Sequence, residues 1–390
     1  MIDIVVLFVA YLLSQFYRSF LAVLTPALQA ELGVTPSDLS WAVGVWFLAF
    51  AVTQVPVGVL LDRIGPRRTL GYALMIGGGG GAFLFSIAEG PWGLIAGMAM
   101  LGSGCAPMLT SGMFLFARRF SPARFATLTG LMIGIGSLGN VASAAPFAYA
   151  AEAFGWRASM ASLGGCAVVL AFALLMLIRD PRRVAQAPGS AGLGGFVELL
   201  RMPVIWPLLP VALANYAVSA GIRGLWAGPY LADVHGFDAL AIGVATTWMA
   251  LAMAAGNFVY GPLDRLLGTR KWVILVGNAG GAACTAALAL ASPGPVAAVA
   301  LLAGLGFLGS SYAVLSAHFR AFVPERLTGR GVTLSNVFGI GGVGLGQFAS
   351  GALFDAAGAG APGHDAVFLW YSGTLAAALV VYLFSRDAKP

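Results

Sequence analysis

Twelve apolar stretches of about 20 residues, separated by short polar links, constrain this chain more than any other feature, because that length of apolar sequence is what a membrane-spanning helix needs. They run over residues 4–30, 41–61, 69–88, 92–117, 125–149, 158–178, 203–231, 240–262, 272–291, 295–318, 331–353 and 366–385. Composition agrees. Of 390 residues, 59% are hydrophobic and 9% charged, whereas a soluble domain carries about a quarter charged residues. The mean hydropathy is +0.89. The expected fold is an all-α membrane protein of twelve transmembrane helices, and the first apolar stretch, which lacks a basic leader and a small-residue cleavage site, is expected to be retained.

The net charge of +6 does not point to nucleic acid, because the basic residues sit where membrane topology places them. Alternate links hold Arg63, Arg67, Arg68; Arg118, Arg119, Arg124; Arg179, Arg182, Arg183, Arg201; Arg265, Arg270, Lys271; Arg320, Arg326, Arg330; and Arg386, Lys389, which is 18 of the 21 Lys and Arg. The other links hold only Arg157, beside eight acidic residues, among them Glu31, Asp233 and Asp365. Both termini and the central link are therefore expected in the cytoplasm, in an inner-membrane, multi-pass protein. Residues 179–202 read as a cytoplasmic linker between bundles 1–178 and 203–390, with Phe196 to Arg201 as a short helix at the membrane surface. Cys105, Cys166 and Cys284 lie in apolar runs without metal-ligand spacing and read as small buried hydrophobes.

The chain also repeats itself. Asp62-Arg63 and Asp264-Arg265, Pro122-x-Arg124 and Pro324-x-Arg326, and Gly102-x-Gly104 and Gly304-x-Gly306 all match at one offset of 202 residues. Two six-helix halves of the same topology follow. The link Gly58-Val59-Leu60-Leu61-Asp62-Arg63-Ile64-Gly65-Pro66-Arg67-Arg68 resembles the loop motif of the major facilitator superfamily, G-x-L-x-D-R-x-G-x-R-R. A decayed copy, Gly261-Pro262-Leu263-Asp264-Arg265, follows in the second half. The resemblance implies two pseudo-symmetric bundles that rock around a central cavity lined by helices 1, 4, 7 and 10. It also implies a cytoplasmic gating latch of Asp62, Arg63, Arg67, Arg68, Asp264 and Arg265. This motif governs motion and is silent about cargo.

Arg18 and Arg223 are the only basic residues inside the apolar runs. A guanidinium there costs about 2.5–3.5 kcal/mol on the lenient insertion scale, so a use for each is expected. They occupy helices 1 and 7, which are equivalent in the repeat. Arg18 stands 15 residues before Gly33 and Arg223 stands 13 before Gly236, which sets them about 3 Å apart in depth at 1.5 Å per residue. None of the 15 acidic residues falls in mid-run. The natural counter-charge is then an anionic substrate, which arginine holds with paired charge-assisted hydrogen bonds.

Paired arginines on helices 1 and 7 resemble those of the organophosphate:phosphate antiporters, and Tyr17-Arg18 with Pro26 and Glu31 resembles the first helix of organic-anion symporters. The glycine-rich stretches after Gly134 and Gly339 are similar to those of nitrate/nitrite porters, whose arginines lie on helices 2 and 8 instead. The expected function is secondary transport of a small organic anion bearing carboxylate or phosphate, with Arg18 and Arg223 binding it. Tyr11, Gln15, Tyr17, Asn140, Asn215, Tyr216, Trp226, Ser311, Tyr312 and Asn336 are the remaining substrate-contact candidates, each open to a plain interhelical hydrogen bond. Anion exchange is expected, because the only histidine close to the cavity, His318, lies near the cytoplasmic end of helix 10. Three alternatives stay open: a proton-coupled symporter of a monoanionic metabolite, a drug or solute exporter, and a non-transporting receptor or assembly factor. Neither enzymatic activity nor a cofactor or metal is expected; the expected partners are the anion and the bilayer, and the expected state is a monomer.

Overall fold

The computed structural model describes residues 2–181, 194–324 and 327–388. Arg182 and Arg183 of the linker, Arg326 and Lys389 lie outside the described residues, as does the side chain of Asp62. The described residues are mostly helical and contain no strand. Among the described residues, ten helices are long and apolar enough to cross a membrane, and counting each of two bent pairs as one span brings the number to twelve. In chain order they are Ile2–Phe16 with Leu21–Leu32, Pro36–Gln54, Pro66–Ser86, Pro91–Arg119, Thr127–Ala142 with Ala145–Phe154, Trp156–Leu177, Pro203–His235, Ala239–Leu267, Lys271–Leu290, Pro295–Ala321, Leu334–Ala357 and Ala361–Tyr382. These are called the first to twelfth spans below, and each overlaps one expected apolar run. A short helix, Gly194–Leu200, stands before the seventh span.

Local chemistry sets the span ends. Proline at the first helical position opens many of them, where its missing N–H costs nothing, as at Pro36, Pro66 and Pro91. Thr35 and Asp38 form a reciprocal capping box at the start of the second span, at 2.8 and 3.1 Å. Gly33 and Gly236 close the first and seventh spans in the left-handed conformation, at φ 63° and 67°, so the matching turns expected from the repeat adopt the same geometry.

Contacts divide the chain into two compact units, residues 1–184 with 237–247, and 185–236 with 248–390. The start of the eighth span groups with the first unit because Gly243 lies against Ala145 and Ala148, where an added Cβ would stand 2.8 Å from that of Ala148. The Ala145 N–H also donates to Thr247 Oγ1 at 3.2 Å. Inside each unit, glycine permits close helix approach. A Cβ at Gly77 would stand 2.4 Å from the Gly104 Cα, and one at Gly102 would stand 2.2 Å from the Trp46 carbonyl oxygen. Large apolar side chains meanwhile face outward, Phe258 being 81% and Trp92 80% exposed, the inverse of a soluble surface.

One polar cluster fastens an end of the first unit. Arg157 Nε donates to Glu31 Oε1 at 2.8 Å, and its Nη1 donates to the carbonyls of Ser86 and Ala88 at 2.9 and 2.8 Å. Trp156 Nε1 adds a 2.6 Å bond to the same carboxylate. The lone arginine of its set of links thus ties the first, third and sixth spans together. Arg157→Ala is expected to cost about 1–3 kcal/mol, because two carbonyls lose their donor. Thermal unfolding should show a larger drop for it than for Glu31→Gln, which leaves those two bonds in place.

Candidate functional site

The first unit places Arg18 at a break in its own helix. Ile2–Phe16 and Leu21–Leu32 meet at 50°, and across the break the N–H groups of Arg18 and Ser19 bond three residues back, to Gln15 and Phe16 at 3.3 and 3.1 Å. The tightened turn swings the half-buried Arg18 toward the second span. Its guanidinium carbon lies 5.5 Å from the Trp46 ring centre, 6.0 Å from that of Phe47 and 5.2 Å from that of Phe50. Aromatic faces attract a cation with about 0.5–2 kcal/mol each, so three of them offset part of the cost of holding the charge here. No aromatic contact of this kind was expected from the sequence.

The other candidates of this half gather at the same break. Tyr17 is fully buried, with no hydrogen-bond partner for its hydroxyl among the described residues. Ser19 Oγ bonds to Asn140 Oδ1 at 3.3 Å and to Ser143 Oγ at 2.8 Å, joining the broken first span to the fifth. Tyr11 and Gln15 are buried against the glycines of the fifth span. A Cβ at Gly136 would stand 2.3 Å from Tyr11 Cε1, and one at Gly139 would stand 2.1 Å from the Leu12 oxygen and 3.1 Å from Gln15 Cβ. Gly136 and Gly139 therefore serve packing against the first span.

The second unit places Arg223, only 3% exposed, in a π-helical stretch, Ile222–Trp226, of the seventh span. One wide turn frees a carbonyl from the regular ladder. Gln347 Nε2 from the eleventh span donates to the Gly221 oxygen at 2.9 Å. At the far end Trp226 Nε1 donates to Ser350 Oγ at 2.9 Å. Two side chains of the eleventh span thus grip both ends of the turn that carries Arg223.

Asn215 and Ser311 sit elsewhere. Asn215 Nδ2 donates to Asn278 Oδ1 at 2.7 Å and to Ser311 Oγ at 2.9 Å, a buried junction of the seventh, ninth and tenth spans. Eight residues of helix separate it from Arg223, about 12 Å of rise. The Tyr216 and Tyr312 rings pair at 5.2 Å, and Tyr312 Oη donates to the Ser335 carbonyl at 3.4 Å. Asn336 follows on the eleventh span, half-buried. His318 is fully buried. Its Nδ1 is 2.7 Å from Tyr382 Oη and its Nε2 is 2.9 Å from the Arg386 oxygen, so it anchors the residues after the twelfth span.

The loop motif is held by two aspartates that the repeat did not single out. Gly65 turns the chain at φ 86°, and the Asp180 carboxylate occupies the space beside it, 2.7 Å from where a Cβ would stand. Asp180 accepts from the Arg67 N–H at 2.9 Å, while Arg67 Nε donates to the Leu175 carbonyl. In the second half, Gly268 turns at φ 66°, and Asp387 accepts from Thr269 Oγ1 at 2.5 Å, Arg270 N at 3.2 Å and Lys271 N at 3.0 Å. Arg179-Asp180 and Arg386-Asp387 are equivalent pairs just past the sixth and twelfth spans. Burial acts to raise the Asp387 carboxyl, but these hydrogen bonds and nearby His318 hold it below its ordinary value. Its contribution to stability is present at neutral pH and lost as pH falls through that lowered value. Asp264 bonds to Arg270 Nε at 3.1 Å, and Arg63, Arg68 and Arg265 are exposed.

A broken first span, an irregular seventh span and a repeated glycine-turn loop mark two helical units with equivalent features. The chain belongs to the Major Facilitator Superfamily, whose family model matches residues 7–227 and 212–390. It is thus a multi-pass membrane protein of a transporter superfamily and not an enzyme. It is 25% identical over 277 residues to the probable L-galactonate transporter of Escherichia coli (strain K12), covering 65% of this chain and 59% of that protein. With the hexuronate transporter of the same strain it shares 24% over 359 residues, 83% of this chain and 76% of that one. With a chloramphenicol resistance protein of Streptomyces lividans it shares 26% over 385 residues, 93% and 91% of the two. Among solved structures, a bacterial homologue of the human lysosomal transporter Spinster superposes with a TM-score of 0.76 at 17% identity, over 97% of this chain and 94% of that one, a likeness of fold alone.

Proposed function

We propose that this protein carries a small organic anion, of the sugar-acid class, across the inner membrane by alternating access, with Arg18 and Arg223 each binding the anionic group. One observation carries this reading. Arg18 and Arg223, the two arginines of the expected apolar runs, stand at irregular turns of two equivalent helices, a 50° break and a π turn. Broken helices at corresponding places in two repeats are where transporters build substrate sites, and a guanidinium matches a carboxylate with two parallel bonds. The names of the galactonate and hexuronate relatives fit a carboxylate cargo. Both termini in the cytoplasm, the latch role of the Asp62 and Asp264 loops, and a monomeric state belong to the same proposal.

The test is a thermal-shift screen of purified protein against sugar acids, other carboxylates, phosphates, sulfonates and amino acids. Sugar acids should raise Tm while the matching neutral sugars leave it unchanged. Stabilisation by uncharged apolar compounds alone would overturn the proposal in favour of a drug or solute exporter. For coupling, exchange was expected for want of a titratable group near the site. Proton symport has a specific observation in its favour, a buried histidine beside Trp226 that meets the partly exposed Asp233 carboxylate.

A further inference from the structure

His364 and Asp233 lie 131 residues apart in sequence and meet in the second unit, His364 Nε2 standing 2.9 Å from Asp233 Oδ2. Asp233 belongs to the last helix of the seventh span, Ala227–His235. His364 stands near the start of the twelfth span, with a side chain of zero exposure. Three aromatic rings enclose the imidazole: Phe354 at 5.0 Å, Tyr230 at 5.7 Å and Trp226 at 6.1 Å between ring centres. Its Nδ1 is buried and has no hydrogen-bond partner among the described residues. Asp233 keeps 27% of its side chain exposed, so the pair is reached from outside the protein through the carboxylate.

The surroundings suit a reversible proton. With the imidazole neutral, Nε2–H donates to the carboxylate and the Nδ1 lone pair lies against electron-rich rings. With one proton added, the imidazolium has a carboxylate beside it and aromatic rings at cation–π distance, but the new Nδ1–H has no acceptor. Among the described residues Nδ1 is without a partner in either state, while the carboxylate and the rings face the charge that the added proton brings. Few other charges intervene. The seventh span contributes Tyr230 and His235, bonded to each other at 3.2 Å; the twelfth contributes Asp365, next in sequence; and the eleventh contributes exposed Asp355, next to Phe354. The helix Pro295–Gly309 of the tenth span carries no charge.

We propose that His364 and Asp233 form a proton-binding site coupled to the turn that carries Arg223, making the proton the co-transported ion. Trp226 is the mechanical link. Its ring rests on His364, its Nε1 is bonded to Ser350, and it is the last residue of the π segment Ile222–Trp226. Protonation changes the charge under Trp226 and so biases the geometry of the Arg223 turn. The coupling half of the proposal rests on Arg223 binding the anion; the proton site does not.

The experiment separates the two. Thermal unfolding of purified protein without substrate, from pH 5 to 8, is compared for wild type, His364→Gln and Asp233→Asn, with His318→Gln as control. The first two variants should remove the same pH-dependent part of Tm, the control should keep it, and the double variant should match the singles. Profiles parallel to wild type in both variants would overturn the proton site. Should His364→Gln fail to fold, Asp233→Asn alone decides. D-galactonate then serves as the probe. Wild-type affinity should rise by up to about tenfold per pH unit on acidification, and affinity in either variant should be flat. A pH-dependent affinity that survives both substitutions would overturn the coupling. Absence of galactonate binding at every pH, beside a normal Tm result, would count against the anion site and not the proton site.

Discussion

Arg223→Ala is expected to reduce anion binding and uptake about a thousandfold while leaving a folded protein. A charge contact near 4 Å is worth up to about 4 kcal/mol at the effective dielectric of a protein site, and every 1.4 kcal/mol is about a factor of ten in affinity. Folding should survive, because Gln347 on the Gly221 carbonyl and Ser350 on Trp226 hold the π turn from both ends. Arg223→Lys should recover only part of the binding, since an ammonium keeps the charge but loses the paired geometry. Arg18→Ala should also abolish uptake, with a second consequence of its own. It strips the cation from the Trp46, Phe47 and Phe50 rings, so tryptophan fluorescence should change even without substrate. Equilibrium binding in detergent, followed by uptake into proteoliposomes, measures both variants.

Gly139→Ala should be the most damaging single methyl group in the first unit. Its Cβ would stand 2.1 Å from the Leu12 carbonyl oxygen, and a backbone atom inside a helix has no rotamer by which to move aside. The first and fifth spans must separate instead, at the seam where Gln15 packs and where Ser19 meets Asn140 and Ser143. Overpacking of this kind costs about 1–3 kcal/mol or more. A clear fall in Tm is expected, together with weakened binding, because the break that aims Arg18 lies on the same seam. Gly134→Ala is the control. Nothing lies within 4 Å of its Cβ position, so helix propensity alone acts, and Tm should hold or rise slightly.

The fold was legible because apolar length is a property of neighbouring residues. All twelve expected runs coincide with spans, and Gly33 and Gly236 turn as their shared place in the repeat requires. Contacts across spans were less legible. Gly102 meets the second span at the Trp46 carbonyl, whereas Gly306 meets the eighth at that of Met249, and Gly104 and Gly304 meet the third and ninth. The 202-residue offset thus aligns helices correctly yet interchanges which glycine touches which neighbour. A period in sequence reports the length of the repeat, not the rotation of each helix about its axis.

The site divided along similar lines. Arg18 and Arg223 stood out because charge in an apolar run is rare and costly. What surrounds them did not stand out, since Trp46, Phe47 and Phe50 look like any apolar span, and Gln347 looks like any lone amide. A buried lone amide in a glycine-rich span was a usable signal for Gln347. His364 and Asp233 look like polar residues of two unrelated span ends until the chain brings them to 2.9 Å. Asp180 and Asp387 were missed for a different reason. They lie 207 residues apart, outside the common offset, although each fastens the glycine-turn loop of its own half.

The central claim is that both arginines bind a carboxylate, and isothermal titration of purified protein with D-galactonate and with galactitol, its uncharged polyol counterpart, tests it most directly. The account predicts heat of binding from the acid alone in wild type, and none from either ligand in Arg18→Ala or Arg223→Ala at unchanged Tm. Equal binding of the acid and the polyol, or acid binding undiminished in both variants, would contradict it.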